Sequence, residues 1–435
     1  MELLSALILF GVFAVLVTFG VPISFAIGLA TTVCITVLLS LDQAIFVVAQ
    51  KMASGLDSFT LLAIPFFILA GNIMNRGGIA MRLIELAKVL GGRLPGALAH
   101  CNVLANMLFG AISGSAVAAA AAVGGTMAPL QKKEGYDPAF SAAVNAASCP
   151  TGMLIPPSST LIVYSLISGG TSVATLFVAG YIPGILMGLA VMVVAGIIAK
   201  RRGYPVIPRP TTEEAIQKTI DAALPILLIL IIMGGIIAGV FTATEASAVA
   251  VVYSLVVGVF IFGEMKLSEL PGIILESAIT SSIVLLLIGC SIGMSWAMAF
   301  SDIPYTVSTA LANISEDPLM IMLIINLALL VIGTFMDMTP ALLIFTPIFL
   351  PVATELGMDP VHFGIMMTYN LCIGIITPPV GSALFISCSV GKVPIKDLLK
   401  PMLPFYAAVI TILMVVTYLP EVSLFLPKLL LGYTG

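Results

Sequence analysis

An all-α polytopic membrane protein built on two inverted repeats is the fold class this sequence predicts, and three observations carry it. The chain of 435 residues is 60% hydrophobic and only 9% charged, with a mean hydropathy of +1.20. That leaves too little polar surface for a soluble globule. Apolar stretches long enough to span a bilayer alternate with short charged loops along its length. Lastly, Asn145 to Gly170 and Asn370 to Gly391 repeat one pattern, an apolar span broken by Gly, then Pro-Pro, then small residues rich in hydroxyls. A shift of 222 residues (374 less 152) carries Gly152, Pro156, Pro157, Ser165 and Gly169 onto Gly374, Pro378, Pro379, Ser387 and Gly391. The same shift carries Pro129, Gly135, Asp137 and Pro138 onto Pro351, Gly357, Asp359 and Pro360.

Composition also excludes. The net charge of -4 is spread over short loops, so no basic stripe exists for a nucleic acid. The six cysteines lie in apolar stretches without CxxC or metal-ligand spacing and read as small buried hydrophobes. No HExxH, GxSxG or GxxxxGK[ST] occurs, so no enzyme chemistry and no cofactor is expected, and any pumping draws on an ion gradient or a partner. Glu2 stands where a signal peptide carries positive charge, and the first apolar run reads as a retained membrane segment.

Residues 1–58 read as N-terminal scaffold spans. Residues 3–40 are interrupted at Gly20-Val21-Pro22, which fits two tight spans or one long kinked one. Residues 59–199 form the first repeat. Leu61 to Ile73 anchors a span, and Arg76, Arg82, Lys88 and Arg93 follow in an amphipathic, interfacial, cytoplasmic segment. Runs 96–112 and 116–131 are joined by Ser113-Gly114-Ser115 and followed by Lys132 and Lys133. A helix of that length reaches roughly 24 Å against a hydrocarbon core of about 30 Å. Hairpin 96–131 is therefore re-entrant, with its polar tip at depth. Broken span 138–168 and a span from 176 to 199 complete this repeat.

Region 200–276 opens on a cytoplasmic loop with Lys200, Arg201, Arg202, Arg209 and Lys218, then two spans near 222–240 and 243–262, then a surface helix from Glu264 to Glu276. Residues 277–435 form the second repeat. A span to residue 300 leads to an external loop, Ser301 to Pro318, which holds Asp302, Glu316 and Asp317 but no Lys or Arg. Hairpin 319–354 follows, with the tip Asp337-Met338-Thr339-Pro340 and an acidic end at Glu355 and Asp359. Broken span 361–390 ends at Lys392, Lys396 and Lys400, and a last span runs to Leu419. The two copies thus enter the bilayer from opposite sides, the arrangement of secondary transporters whose sites lie at the midplane.

Broken helices carry chemistry because an unwound stretch in lipid persists only where it lines a cavity or meets a ligand. Each Pro-Pro removes two donors and frees carbonyls one turn earlier, and hard cations such as sodium take oxygen ligands. The first cation cage predicted is Ser113, Gly114, Ser115, Thr151, Gly152 and Pro156. The second is Asp337, Met338, Thr339, Gly374, Thr377 and Pro378. Ser115, Pro157, Ser158, Ser159, Thr160, Pro379, Gly381 and Ser382 would line an organic-acid substrate, since helix starts at the tips also hold a carboxylate. Plain structural roles stand beside these: Ser113, Ser115 and Thr339 also suit helix capping. Glu245, in FTATEASAV, suits a buried structural pair or a subunit contact as well as a site, and His100 and His362 suit interfacial structural roles near span ends.

At these residues the chain resembles the large membrane subunit, the DctM-like component, of the tripartite ATP-independent periplasmic (TRAP) transporters. The runs that carry the resemblance are LLAIPFFILAGNIMNRGGIA (61–80), GRLPGALAHCNVLANMLFGAISGSAVA (92–118), GYDPAF (135–140), IPPSS (155–159), FTATEASAVAV (241–251) and ITPPVG (376–381). It implies a sodium-driven elevator in a bacterial inner membrane, a small four-helix membrane subunit as partner, and a soluble periplasmic protein that delivers a carboxylate. The overall run of residues is most similar to the sialic-acid branch, with C4-dicarboxylates next. The alternatives are a stand-alone sodium/dicarboxylate symporter and an ion-conducting or structural subunit of a larger complex. Two features depart from the family's pattern, the all-alanine run Ala118 to Ala122 and Cys149-Pro150-Thr151-Gly152 before the first Pro-Pro.

Overall fold

The computed structural model describes residues 2–91, 95–205, 211–315 and 317–435. Arg93, Arg209 and Glu316, used above to assign sides of the membrane, lie outside the described residues. Among the described residues the secondary structure is helical throughout.

Helices α1 (Glu2–Thr18) and α2 (Ile23–Ile35) flank Gly20, whose φ of +79° suits only glycine comfortably, and Pro22. The Cys34 thiol lies 3.4 Å from the Ser5 carbonyl, so the chain doubles back and two short helices form in place of one kinked span. Helix α3 (Leu41–Leu56) is an amphipathic addition that the hydropathy pattern did not reveal. A 3-10 turn at Phe59–Leu62 leads into span α4 (Ala63–Arg76), and α5 (Ile79–Gly91) is the expected surface helix. The first hairpin is α6 (Ala97–Ser113) and α7 (Ala116–Lys133), packed on each other.

The first broken span is more broken than the Pro-Pro alone requires. It comprises α8 (Pro138–Ser148), the single turn α9 (Thr151–Leu154) and α10 (Ser159–Ile167). Cys149-Pro150 ends α8 before Pro156-Pro157 is reached, because a proline has no amide proton to continue the ladder. Span α11 (Val173–Arg202) follows, then α12 (Thr212–Asp221), whose Thr211 and Glu214 form a reciprocal capping box. Helices α13 (Ala223–Ile237) and α14 (Ala243–Val256) match the positions of the two expected spans, and a π turn at Val257–Ile261 extends α14.

Two expectations fail here. Residues 264–276 make no separate surface helix: a 3-10 turn at Leu267–Glu269 runs into α15 (Leu270–Phe300), one unbroken span. Ile273 is fully buried beside Ile73 and Met265, so packing draws these residues into the span. The external loop is largely helix α16 (Ile303–Ile314), with Pro304 in its first turn and Ile303 and Leu311 buried.

The second hairpin is α17 (Pro318–Phe335) and α18 (Met338–Glu355), and the second broken span is α19 (Pro360–Gly374) and α20 (Ser382–Gly391). Helix α21 (Ile395–Tyr418) is the last span, and α22 (Glu421–Leu431) an unanticipated terminal helix. Among the described residues seven helices can cross a membrane by length and composition, α4 with its 3-10 turn, α11, α14 with its π turn, α15 with the turn before it, α17, α18 and α21, and the pair α12 and α13, bent by 44°, would make an eighth.

The two copies of the pattern share local structure. Gly135 and Gly357 both have positive φ, Asp137 and Asp359 both cap the following helix through their carboxylates, and Pro156-Pro157 and Pro378-Pro379 are both cis. Phe140 to Ser148 and Val361 to Gly374 are buried throughout, so the first legs of both broken spans form the centre of the core. His100 and His362 are buried in the opening turns of α6 and α19, each against a backbone carbonyl. Neither lies at an exposed interface. The six cysteines are buried, as small apolar residues are.

Candidate functional site

In the first half the hairpin tip rests on the break. Gly114, at φ +60°, turns the chain between Ser113 and Ser115. A Cβ at Gly114 would sit 3.4 Å from the Pro157 carbonyl and 3.6 Å from the Ser159 nitrogen. The Ser159 hydroxyl donates to the Gly114 carbonyl at 3.5 Å. Ser115 is the N-cap of α7, its Oγ accepting from the Ala118 amide at 3.3 Å, while the Ser113 hydroxyl donates to the Ser115 carbonyl at 3.5 Å. Capping therefore holds for Ser115. Pro156, Pro157 and Ser158 are buried.

The freed carbonyls are partly claimed within the protein. The Ser158 hydroxyl donates to the Met153 carbonyl at 2.5 Å, and the Thr151 hydroxyl donates to the Ser148 carbonyl at 2.6 Å. Gly152 has a steric role: a Cβ there would lie 2.2 Å from the Gly110 Cα, so α9 and α6 touch backbone to backbone.

The second half repeats this with different side chains. Asp337 stands at the N-cap of α18 with extended backbone and is exposed. Its Oδ1 accepts from the Ser382 hydroxyl at 3.1 Å. Met338, Thr339 and Pro340, expected in the tip, form the first turn of α18. Thr339 is thus not the cap, since Asp337 takes that position. Gly374 meets Gly333, with a Cβ placed 2.6 Å from the Gly333 Cα.

Here too the carbonyls around the break are engaged. Those of Ile373, Ile375 and Ile376 accept from the Thr377 hydroxyl at 2.6 Å, the Ala383 amide at 3.1 Å and the Tyr406 hydroxyl at 2.6 Å. The Val380 amide donates to the Thr334 carbonyl at 3.1 Å, tying break to hairpin. Pro378 is half-buried, Pro379 exposed and Gly381 buried as the N-cap of α20. Thr377 lines an apolar cavity of about 450 Å³ with Thr334, Phe335 and Tyr406.

The halves are joined. The Thr160 hydroxyl donates to the Met338 sulfur at 3.7 Å, and the contacts run on from Gly114 through Ser159, Thr160, Met338, Asp337 and Ser382. Along this chain lie the starts of four helices, α7, α10, α18 and α20, with Ser115, Ser158, Asp337 and Gly381 at their N-cap positions. Helix starts present free amides and the positive end of the helix dipole, which favours a carboxylate. The hydroxyls and the Asp337 carboxylate supply oxygens for a hard cation.

Sequence reasoning missed a buried polar lattice behind the breaks. Asn106 Nδ2 donates to Asn145 Oδ1 at 3.1 Å and Ser148 Oγ at 2.7 Å, and Asn145 Nδ2 donates to the Ala120 carbonyl at 2.9 Å and Ser387 Oγ at 3.1 Å. In the other half Asn370 Nδ2 donates to both oxygens of Asn326, each at 2.9 Å. The signal available was asparagine within long apolar runs, which demands partners. Glu245, by contrast, is an exposed cap: its carboxylate accepts from the Thr242 amide and hydroxyl, both at 2.8 Å. It is not a buried pair, because the reciprocal capping box at the start of α14 satisfies it locally.

Residues 10–422 match the family described as "Tripartite ATP-independent periplasmic transporter, DctM component". An uncharacterized protein of Salmonella typhimurium, YgiK, is 60% identical over 97% of each chain. The C4-dicarboxylate TRAP transporter large permease protein DctM of Pseudomonas aeruginosa is 40% identical, over 91% of this chain and 92% of that one. The sialic acid TRAP transporter large permease protein SiaM of Vibrio cholerae is 38% identical, over 95% and 96%. The crystal structure of the Alcanivorax borkumensis YdaH transporter matches in fold, with a TM-score of 0.58 at 14% identity over 87% of this chain and 88% of that one. This chain belongs to the TRAP transporter DctM family, as a multi-pass membrane permease component and not an enzyme.

Proposed function

We propose that the protein imports an organic acid, driven by an inward sodium gradient, by an elevator motion of the unit that holds the two hairpins and broken spans. The observation that carries this reading is the continuous run of contacts joining four helix starts and one carboxylate. It offers amides to a carboxylate substrate and oxygens to coupling cations in one place. Ser113, Ser115, Thr151 and the carbonyls near Pro156 would hold one sodium ion. Asp337, Thr339, Gly374 and Thr377 would hold the other, with Ser158, Ser159 and Ser382 against the substrate. A small membrane subunit and a soluble binding protein are the partners of this reading, and the bacterial inner membrane its location.

Sialic acid is the substrate favoured by the overall run of residues, and the Pseudomonas relative favours a C4-dicarboxylate as the second reading. The experiment is uptake of labelled sialic acid and succinate into liposomes, with and without a sodium gradient, with and without the binding protein. We expect sodium-dependent uptake of one acid only when the binding protein is present, falling tenfold or more in Asp337→Ala, as for a lost charge-assisted contact of roughly 1.5–3 kcal/mol. Uptake indifferent to sodium sinks the coupling. Transport without the binding protein instead identifies a stand-alone symporter.

A further inference from the structure

A cavity of about 540 Å³ opens where α8, α11 and α21 meet, away from the hairpin tips. Both long helices around it are spans: α11 ends here at Arg202 and α21 begins here at Ile395. The cavity therefore lies at one membrane surface. Its walls divide by chemistry. Ile198, Pro401 and Pro404 are apolar and lie farther into the two spans than Arg202 and Lys396, while Lys396 and Lys400, one helical turn apart, are exposed. Both helices also carry exposed apolar residues close in sequence to the lining ones, Val193 and Ile197 on α11 and Leu399 and Leu403 on α21, at 60%, 49%, 39% and 63% exposure.

The charges around it are not all free. Arg202 is paired with Asp137 at 2.7 Å and leans over the Phe140 ring. Asp397 also lines the cavity and offsets one lysine. None of the ion pairs among the described residues uses Lys396 or Lys400. The result is one net positive charge and two ammonium donors beside apolar side chains, at the ends of two spans. Long lysine side chains at span ends reach to that level.

We infer that this cavity binds an anionic phospholipid, with its phosphodiester held by Lys396 and Lys400 and its acyl chains lying along the exposed faces of α11 and α21. A soluble phosphate shares the headgroup chemistry but has no use for the apolar side chains, which is why the lipid is the assigned occupant. The inference does not rest on the transport reading. Native mass spectrometry of the detergent-purified chain, after exposure to phosphatidylglycerol and phosphatidylcholine, tests it. We expect one phosphatidylglycerol retained at roughly tenfold preference or more, on the order of the effect of one to two basic residues near a membrane surface. K396Q/K400Q loses that preference, K396R/K400R keeps it, and K132Q/K133Q, at another basic end, leaves it unchanged.

Thermal unfolding gives a readout independent of retention. The wild-type midpoint rises on adding phosphatidylglycerol, whereas K396Q/K400Q starts from the same midpoint and does not respond. Equal retention in K396Q/K400Q overturns the inference. So does displacement of the lipid by millimolar glycerol phosphate, which identifies a soluble-anion site.

Discussion

Glycine at two points lets helices touch that no other residue would. Gly152 against Gly110 and Gly374 against Gly333 place backbone on backbone where each broken span meets its hairpin. A methyl group there would lie 2.2 Å or 2.6 Å from a Cα, and backbone yields less easily than a flexible side chain. Gly152→Ala should therefore lower stability by about 1–3 kcal/mol, seen as a lower thermal unfolding midpoint in detergent. Gly125→Ala is the control, because nothing lies within 4 Å of a Cβ there; equal effects would refute the close-approach account. The glycines in both repeats were legible as matched positions, but their partners Gly110 and Gly333 were not. A contact between residues 42 apart in sequence leaves no local mark.

Helix α5 shows how a single element is held. It lies beside α6, and α12 rests on it through the ion pair of Lys218 with Glu85 at 2.9 Å, with Lys88 bonded to the same carboxylate. Burial pushes the Glu85 carboxyl up, yet the hydrogen bonds from Lys88 and Lys218 outweigh it and hold the group below the ordinary carboxylate range. A carboxyl lowered in the folded state stabilises fully above its unfolded value and loses that contribution as pH falls through the folded one. Attachment of α12 should accordingly be insensitive to pH near neutrality and weaken only under acid. Hydrogen exchange across residues 212–221 at pH 7 and pH 4 checks this, and Glu85→Gln should exchange fast at both. The amphipathic period announced α5, whereas α12 lies where the basic residues suggest only a loop. Helix α16 reads as a loop because of its acidic flanks, and the start of α15 as a separate surface helix because its charges alternate; packing that buries Ile303, Leu311 and Ile273 decides otherwise.

At the scale of the molecule the two copies are tied to each other as well as within themselves. Asn145, on the first broken span, reaches Ser387 on the second, and Thr160 reaches Met338. Asn145 also meets α6 and α7, so one amide holds four helices. Asn145→Leu leaves the buried Asn102 amide without its acceptor and takes the Asn145 Oδ1 acceptor from Asn106, which keeps Ser148 Oγ, at roughly 1–3 kcal/mol for the group left unpaired. It should destabilise more than Thr160→Val, measured as thermal midpoints of the two variants; the reverse order would show that the amide lattice is peripheral. Membrane class, the helix pairs of both hairpins and both breaks were determined by the sequence alone, because hydropathy, proline and glycine act over a few neighbouring residues. Only the tertiary structure decided which carbonyls near the breaks are already bonded, that Asp337 accepts from Ser382 across the second break, and that four helix starts line one run of contacts. Those facts depend on distances between segments up to 178 residues apart, and such distances are set by packing rather than by any local pattern.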